Sequence, residues 1–193
     1  MTRVLSFQNR QRTRPLNLPL LRRITRHVLE NELAVPAYEL GFQFVEPAKM
    51  AQVNQDFLQH EGSTDVITFD YAALGAPVSD PSGSDGLPSG AGSETGAVAL
   101  HGEAFICVAD AVQQAREFGT TWPAEVVRYV IHAVLHLRGY DDLQPAARKI
   151  MKREENRLLK RVTGCFPIHA LARRRNPKSQ TLNPQSPLRR GPT

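Results

Sequence analysis

The sequence predicts an α+β fold, one mixed sheet of about four strands packed with about five helices, on three observations. Alternating and helical periodicities succeed one another early, in the order strand, helix, strand, helix. Two β-branched and aromatic stretches follow and read as an antiparallel hairpin. One of the three later helices is apolar almost all round, which requires burial at the centre of the domain.

The first strand is RVLSFQN, residues 3–9, where apolar and polar residues alternate. Leu20, Leu21, Ile24, Val28 and Leu29 then recur at helical spacing and predict a helix over about 17–33. AYELGFQFVE places Tyr38, Leu40, Phe42 and Phe44 on one strand face, and PAKMAQVNQDFLQ opens a second helix with a first-turn proline. TDVITFDY and GEAFICV are the two hairpin strands. Between them, residues 73–98 are packed with Gly, Ser and Pro and contain no Lys or Arg, so they are expected to be a flexible insertion unable to bury enough apolar surface to order itself. ADAVQQAREFG ends at Gly119, TTWPAEVVRYVIHAVLHLRG runs from a Thr121 cap to a Gly139 stop with Trp122 as a core anchor, and QPAARKIMKREENRLLKRV is a last amphipathic helix. This assigns residues 1–165 to one domain and 166–193, rich in proline and arginine, to a disordered basic tail.

A chain of 193 residues suits one core of ordinary size. It has no run near the ~20 apolar residues that span a bilayer and no cleavable apolar leader, so a soluble, cytoplasmic protein without a membrane partner is expected. Cys107 and Cys165 stand far apart in sequence, which argues against a disulfide scaffold and against a thiolate zinc site. Six of the 24 lysines and arginines lie after Pro167, where no acid occurs; the remaining 18 balance 19 acidic residues. Seven more arginines, from Arg3 to Arg26, precede the first acidic residue, Glu30. Such clusters draw polyanions by counterion release, and they also occur as plain solvated surface.

The chemistry is concentrated in VIHAVLHLRGYDD, residues 130–142. Residues four apart share one helix face, so His132 and His136 can meet a single ion at the ~2.0 to 2.1 Å that zinc prefers. Histidine pairs at this spacing also occur hydrogen-bonded in cores. Gly139 weighs toward the ion, because glycine readily takes the left-handed conformation that turns the chain back toward the helix end, within reach of Asp142. Ala133 stands where the glutamate base of an H-E-x-x-H metalloprotease belongs, which argues against a protease of that type.

HAVLHLRGYDD resembles the H-G-x-L-H-L-x-G-Y-D-H signature of the YbeY family, bacterial metal-dependent endoribonucleases of ribosomal RNA maturation. The resemblance extends over roughly residues 3–163: Asn54 with Thr64-Asp65-Val66 ten residues on, HGEAFICVADAVQQA, and Met151 with Glu155 in the closing helix each match a family segment in order. It implies one zinc or other divalent ion per chain, held by His132, His136 and Asp142. It also implies single-strand-specific cleavage of ribosomal RNA at the 3′ end of the small-subunit RNA, a role in ribosome quality control, and the small subunit as partner. Three positions depart from the family. Asp142 replaces the usual third histidine and leaves the site with one less positive charge; Ala133 replaces a glycine. Leu58 stands at an arginine associated with phosphate binding, which makes Arg138 or the N-terminal arginines the candidates to replace it, and favours as alternative a non-cleaving ribosome-assembly factor with a structural metal. Glu103 and Asp141 are candidate acceptors for the ligand imidazoles, and His60 and His101 are candidate site-lining residues.

Overall fold

A computed structural model describes residues 2–59, 62–72 and 100–172 of the chain. Four strands, β1 (Arg3–Asn9), β2 (Tyr38–Val45), β3 (Val66–Asp70) and β4 (Leu100–Cys107), form one sheet in the order β1-β2-β4-β3. β1, β2 and β4 are parallel, and β3 runs antiparallel to β4 with Val66 opposite Ile106 and Asp70 opposite Gly102. The sheet is therefore mixed, and the expected pairing of β3 with β4 is present. The insertion between them, at 73–98, lies outside the described residues.

Helix α1 (Leu18–His27) joins the first parallel pair; Asn17 caps it by accepting from the Leu20 amide, and it continues as a π-helical turn over Val28–Glu32. α2 (Pro47–Val53) likewise runs into a π turn, Asn54–Leu58. α3 (Val108–Glu117), α4 (Trp122–Leu137) and α5 (Pro145–Cys165) follow β4. The alternation read in β2 is carried out in space: Tyr38, Leu40, Phe42 and Phe44 are buried while Glu39 is exposed. With Leu100, Ala104 and Ile106 of β4 they form the main core, against Leu21, Ile24 and Leu29 and the apolar surface of α4. A smaller cluster of Val45, Met50, Val53, Ile67 and Cys107 lies under α2.

α4 is buried because its sequence confines polar side chains to one narrow stripe, Glu125, Arg128, His132 and His136: Val126, Val127, Val130, Ile131, Val134 and Leu135 are each at most 1% exposed. Its last turn sits against β4 at Gly102. A Cβ there would lie 2.5 Å from the Phe69 carbonyl oxygen and 2.7 Å from Leu137 Cδ2, so strand β3 or the helix end would have to move. Gly102→Ala is therefore expected to lower stability by ~2 to 3 kcal/mol, read as a fall in the urea midpoint without loss of cooperativity.

The domain does not stop at residue 165. A 3-10 turn, Ile168–Leu171, returns to the core: Leu171 is fully buried, its carbonyl accepts from the Asn17 amide at 2.9 Å, and Ala172 bridges to Leu16. The boundary expected at Phe166 moves to Ala172, because two apolar residues, Ile168 and Leu171, suffice to seal the N-terminal end of α1. Every basic residue of the C-terminal cluster lies beyond that point, outside the described residues.

Candidate metal centre

α4 ends in a Schellman arrangement. The Tyr140 amide donates to Leu135 O at 3.0 Å and the Gly139 amide to His136 O at 2.8 Å, with Gly139 at φ +85°. A side chain at 139 would strain this turn. The reversal has two effects. It brings the Tyr140 carbonyl to His136, and it sets Asp142 beside both imidazoles, where the Asp142 backbone carbonyl accepts from Arg148 Nε at 2.8 Å.

His132 Nε2 and His136 Nε2 lie 3.0 Å apart. Asp142 Oδ2 is 3.9 Å from the first and Oδ1 is 3.8 Å from the second. All three side chains are partly exposed, at 22%, 25% and 39%, so the cluster opens to solvent on one side.

The partners of the two Nδ1 atoms fix the tautomers. His136 Nδ1 is 3.1 Å from the Tyr140 carbonyl, which can only accept, so that nitrogen carries a proton. His132 Nδ1 is 3.1 Å from Glu155 Oε2. Burial alone would raise the Glu155 carboxyl, but hydrogen bonds from His132, Lys152 and Arg128 outweigh it and take the group down to about 2. Glu155 is thus ionised and accepts a hydrogen bond from the His132 Nδ1–H as well. Burial, followed by the neighbouring His132 ring, holds the His136 imidazole below its ordinary value. In the Nδ1–H tautomer of both rings the two Nε2 lone pairs face each other at 3.0 Å with a carboxylate across from them. That arrangement is repulsive unless a cation lies among the three. Donors held at ~2.05 Å in a tetrahedron stand ~3.3 Å apart, between the 3.0 Å of the two Nε2 atoms and the 3.8 and 3.9 Å to Asp142. The three side chains could hold one metal ion.

The residues expected to surround this cluster are distributed differently. Glu103 accepts from Gln43 and from Tyr71 on the sheet, and Asp141 accepts from the Leu143 amide, so neither orients an imidazole. Those roles fall to Glu155 and the Tyr140 carbonyl. His101 is exposed and stacks edgewise on Tyr71, 5.4 Å between ring centres; His60 and the Leu58 side chain lie outside the described residues. Arg138 is exposed at the α4 C-terminus and lines cavities with Leu33, Val35 and Gly139 instead of the one at His132. The cation beside the cluster is Arg128, one turn before His132, with Nη1 2.7 Å from Glu155 Oε1 and Nε 3.1 Å from Glu125 Oε2. Its spacing of four from His132 and three from Glu125 along α4 was the signal in the sequence, and an arginine on an apolar helix reads as solvated without knowledge that Glu155 of α5 packs across it. Asp65, at the start of β3, does line the cavity at His132.

The sequence model of the family described as endoribonuclease YbeY matches residues 2–163. Endoribonuclease YbeY of Salinibacter ruber is 30% identical over 158 residues, 82% of this chain and 91% of that protein. The Chlorobium luteolum protein of the same name is 30% identical over 149 residues, 77% of this chain and 91% of its own length. The solution structure of TM1509 from Thermotoga maritima superposes with a TM-score of 0.53 at 19% identity, covering 92% of this chain and all of that one, a likeness of fold. With relatives aligned over most of both lengths and the histidine helix inside the matched stretch, the chain belongs to the endoribonuclease YbeY family.

Proposed function

We propose that this chain is a single-strand-specific endoribonuclease that uses one zinc ion bound by His132, His136 and Asp142, and that it acts in the cytoplasm on the 3′ end of the small-subunit ribosomal RNA and in ribosome quality control. The observation that carries the reading is the pair of Nε2 atoms opposed at 3.0 Å, closed by a carboxylate, on the helix that bears the family signature. When bound, the ion would acidify water and stabilise charge developing on a phosphate oxygen. The chain's own residues prepare that site. Glu155 and the Tyr140 carbonyl hold the rings in the tautomer that leaves Nε2 free, and Arg128 keeps Glu155 ionised. Asp142 supplies a hard oxygen donor and lowers the net charge of the site. Among the described residues no helix is long and apolar enough to cross a membrane.

Leu58 at an arginine position of the family favours a second reading, a non-cleaving ribosome-assembly factor with a structural metal. One experiment separates the two. The full chain is incubated with unstructured RNA, with chelator and after zinc is restored, beside Asp142→Ala, with elemental analysis of each sample. The nuclease reading expects about one zinc per chain, cleavage that chelator stops and zinc restores, and loss of both metal and cleavage in the variant. Full metal with no cleavage supports the assembly factor; full occupancy in Asp142→Ala removes Asp142 from the ligand set.

The C-terminal basic cluster is read as a source of sequence-independent RNA affinity. Truncation after Ala172 removes six cations and leaves Leu171 in the core. The log–log salt dependence of single-strand binding should then flatten by up to ~4, at ~0.7 per charge contact, and an unchanged slope would show that these residues do not touch RNA.

A further inference from the structure

A cavity of about 440 Å³ opens beside the ion cluster and shares the His132 ring with it. It runs back along α4 from His132 to Glu125, seven residues or ~10 Å at the helical rise, with β3, the end of α3 and α5 as its other walls. That is room for one nucleotide's base and sugar and falls in the range of small-ligand sites.

The charges lining it argue against a phosphate. Three carboxylates, Asp65, Glu125 and Glu155, outnumber two cations, and both cations are already engaged: Arg128 with Glu125 and Glu155, Lys152 with Glu155 at 2.9 Å. The remaining lining suits a flat, neutral group with polar edges. Phe118, at the C-terminal cap of α3, presents a ring that is 65% exposed at the rim. Tyr129 lines the groove with a hydroxyl that is buried and has no hydrogen-bond partner. Gln114 and Asn156 bring side-chain amides, each able to donate and accept, and Asn156 Oδ1 is held by Arg128 Nη1 at 2.8 Å.

We propose that this groove is a nucleobase subsite, taking one unpaired base from the nucleotide next to the phosphate that meets the ion, stacked on Phe118 with its polar edge toward Asn156 and Gln114. The assignment rests on the ribonuclease reading of the neighbouring cluster and gives that reading a structural cause for single-strand preference. A base in a duplex is stacked and paired on its polar edge and cannot enter; a splayed base in a single strand can.

The test is a binding measurement on the full-length, zinc-loaded protein with fluorescent 2′-O-methyl hexaribonucleotides, which resist cleavage. An abasic residue is moved through each position in turn. For wild type, one position should be sensitive, raising Kd about 10-fold. Phe118→Ala should raise Kd for the intact oligonucleotide by a similar factor and abolish the abasic effect, with Phe118→Tyr restoring both. Asn156→Ala should change which base is preferred at that position. Phe118 is exposed, so the melting temperature should not move. No sensitive position in wild type, an abasic penalty that survives Phe118→Ala, or no measurable binding of the hexamer would each overturn the subsite. Because cleavage is not the readout, a wild type that binds as expected but never cuts RNA sinks the nuclease reading alone.

Discussion

Glu155→Ala is expected to destabilise the metal-free protein by ~3 to 5 kcal/mol and to weaken zinc binding 10- to 100-fold. Glu155 is 3% exposed and holds three donors at once, His132 Nδ1, Arg128 Nη1 and Lys152 Nζ. Its removal leaves the partly buried Arg128 guanidinium facing Glu125 alone and frees the His132 ring to turn or to change tautomer. The pH dependence gives an independent figure. The carboxyl is held near 2 against an ordinary 4.5, so its stabilisation is fully present above pH 4.5 and is lost as pH falls toward 2, a contribution of ~3 kcal/mol. Urea unfolding of chelated wild type, Glu155→Ala and Glu155→Gln between pH 2 and 7 checks this. The glutamine variant should lose most of the acid limb, and matching acid limbs in all three would mean that Glu155 is not the group responsible.

The opposite pattern is expected for His136→Ala. Cleavage should fall at least 100-fold, to the level of chelated wild type, as zinc occupancy collapses. Stability of the metal-free protein should hardly change, because the substitution removes one of the two opposed Nε2 atoms and a partly exposed ring. Zinc should raise the melting temperature of wild type and leave that of the variant unmoved, since a ligand stabilises only in so far as it binds the native state more tightly than the unfolded one. Single-turnover cleavage, metal analysis and thermal melts with and without zinc decide it. Retained zinc-dependent activity would remove His136 from the ligand set.

What the sequence determined by itself is what short-range geometry settles. His132 and His136 share a face because any helix puts i and i+4 together, and Gly139 reverses the chain because glycine alone reaches φ +85° without strain. The β2 alternation and the Thr121 cap are local for the same reason, and the β3–β4 pairing follows from two strand-like segments with no helical periodicity in the sequence between them. Tertiary structure decided the rest. Glu155 meets His132 across 23 residues because α5 packs on α4 at one register, and no periodicity within α5 says which of its acids faces a histidine. Arg128 belongs beside the cluster and Arg138 does not, although both flank the histidines by a few residues, because one lies on the α4 face covered by α5 and the other on the exposed helix end. Ile168 and Leu171 join the core from within a stretch whose composition reads as tail, since burial depends on the gap left at the start of α1 and not on the neighbours in sequence. Side-chain periodicity fixes a face; only packing fixes what that face meets.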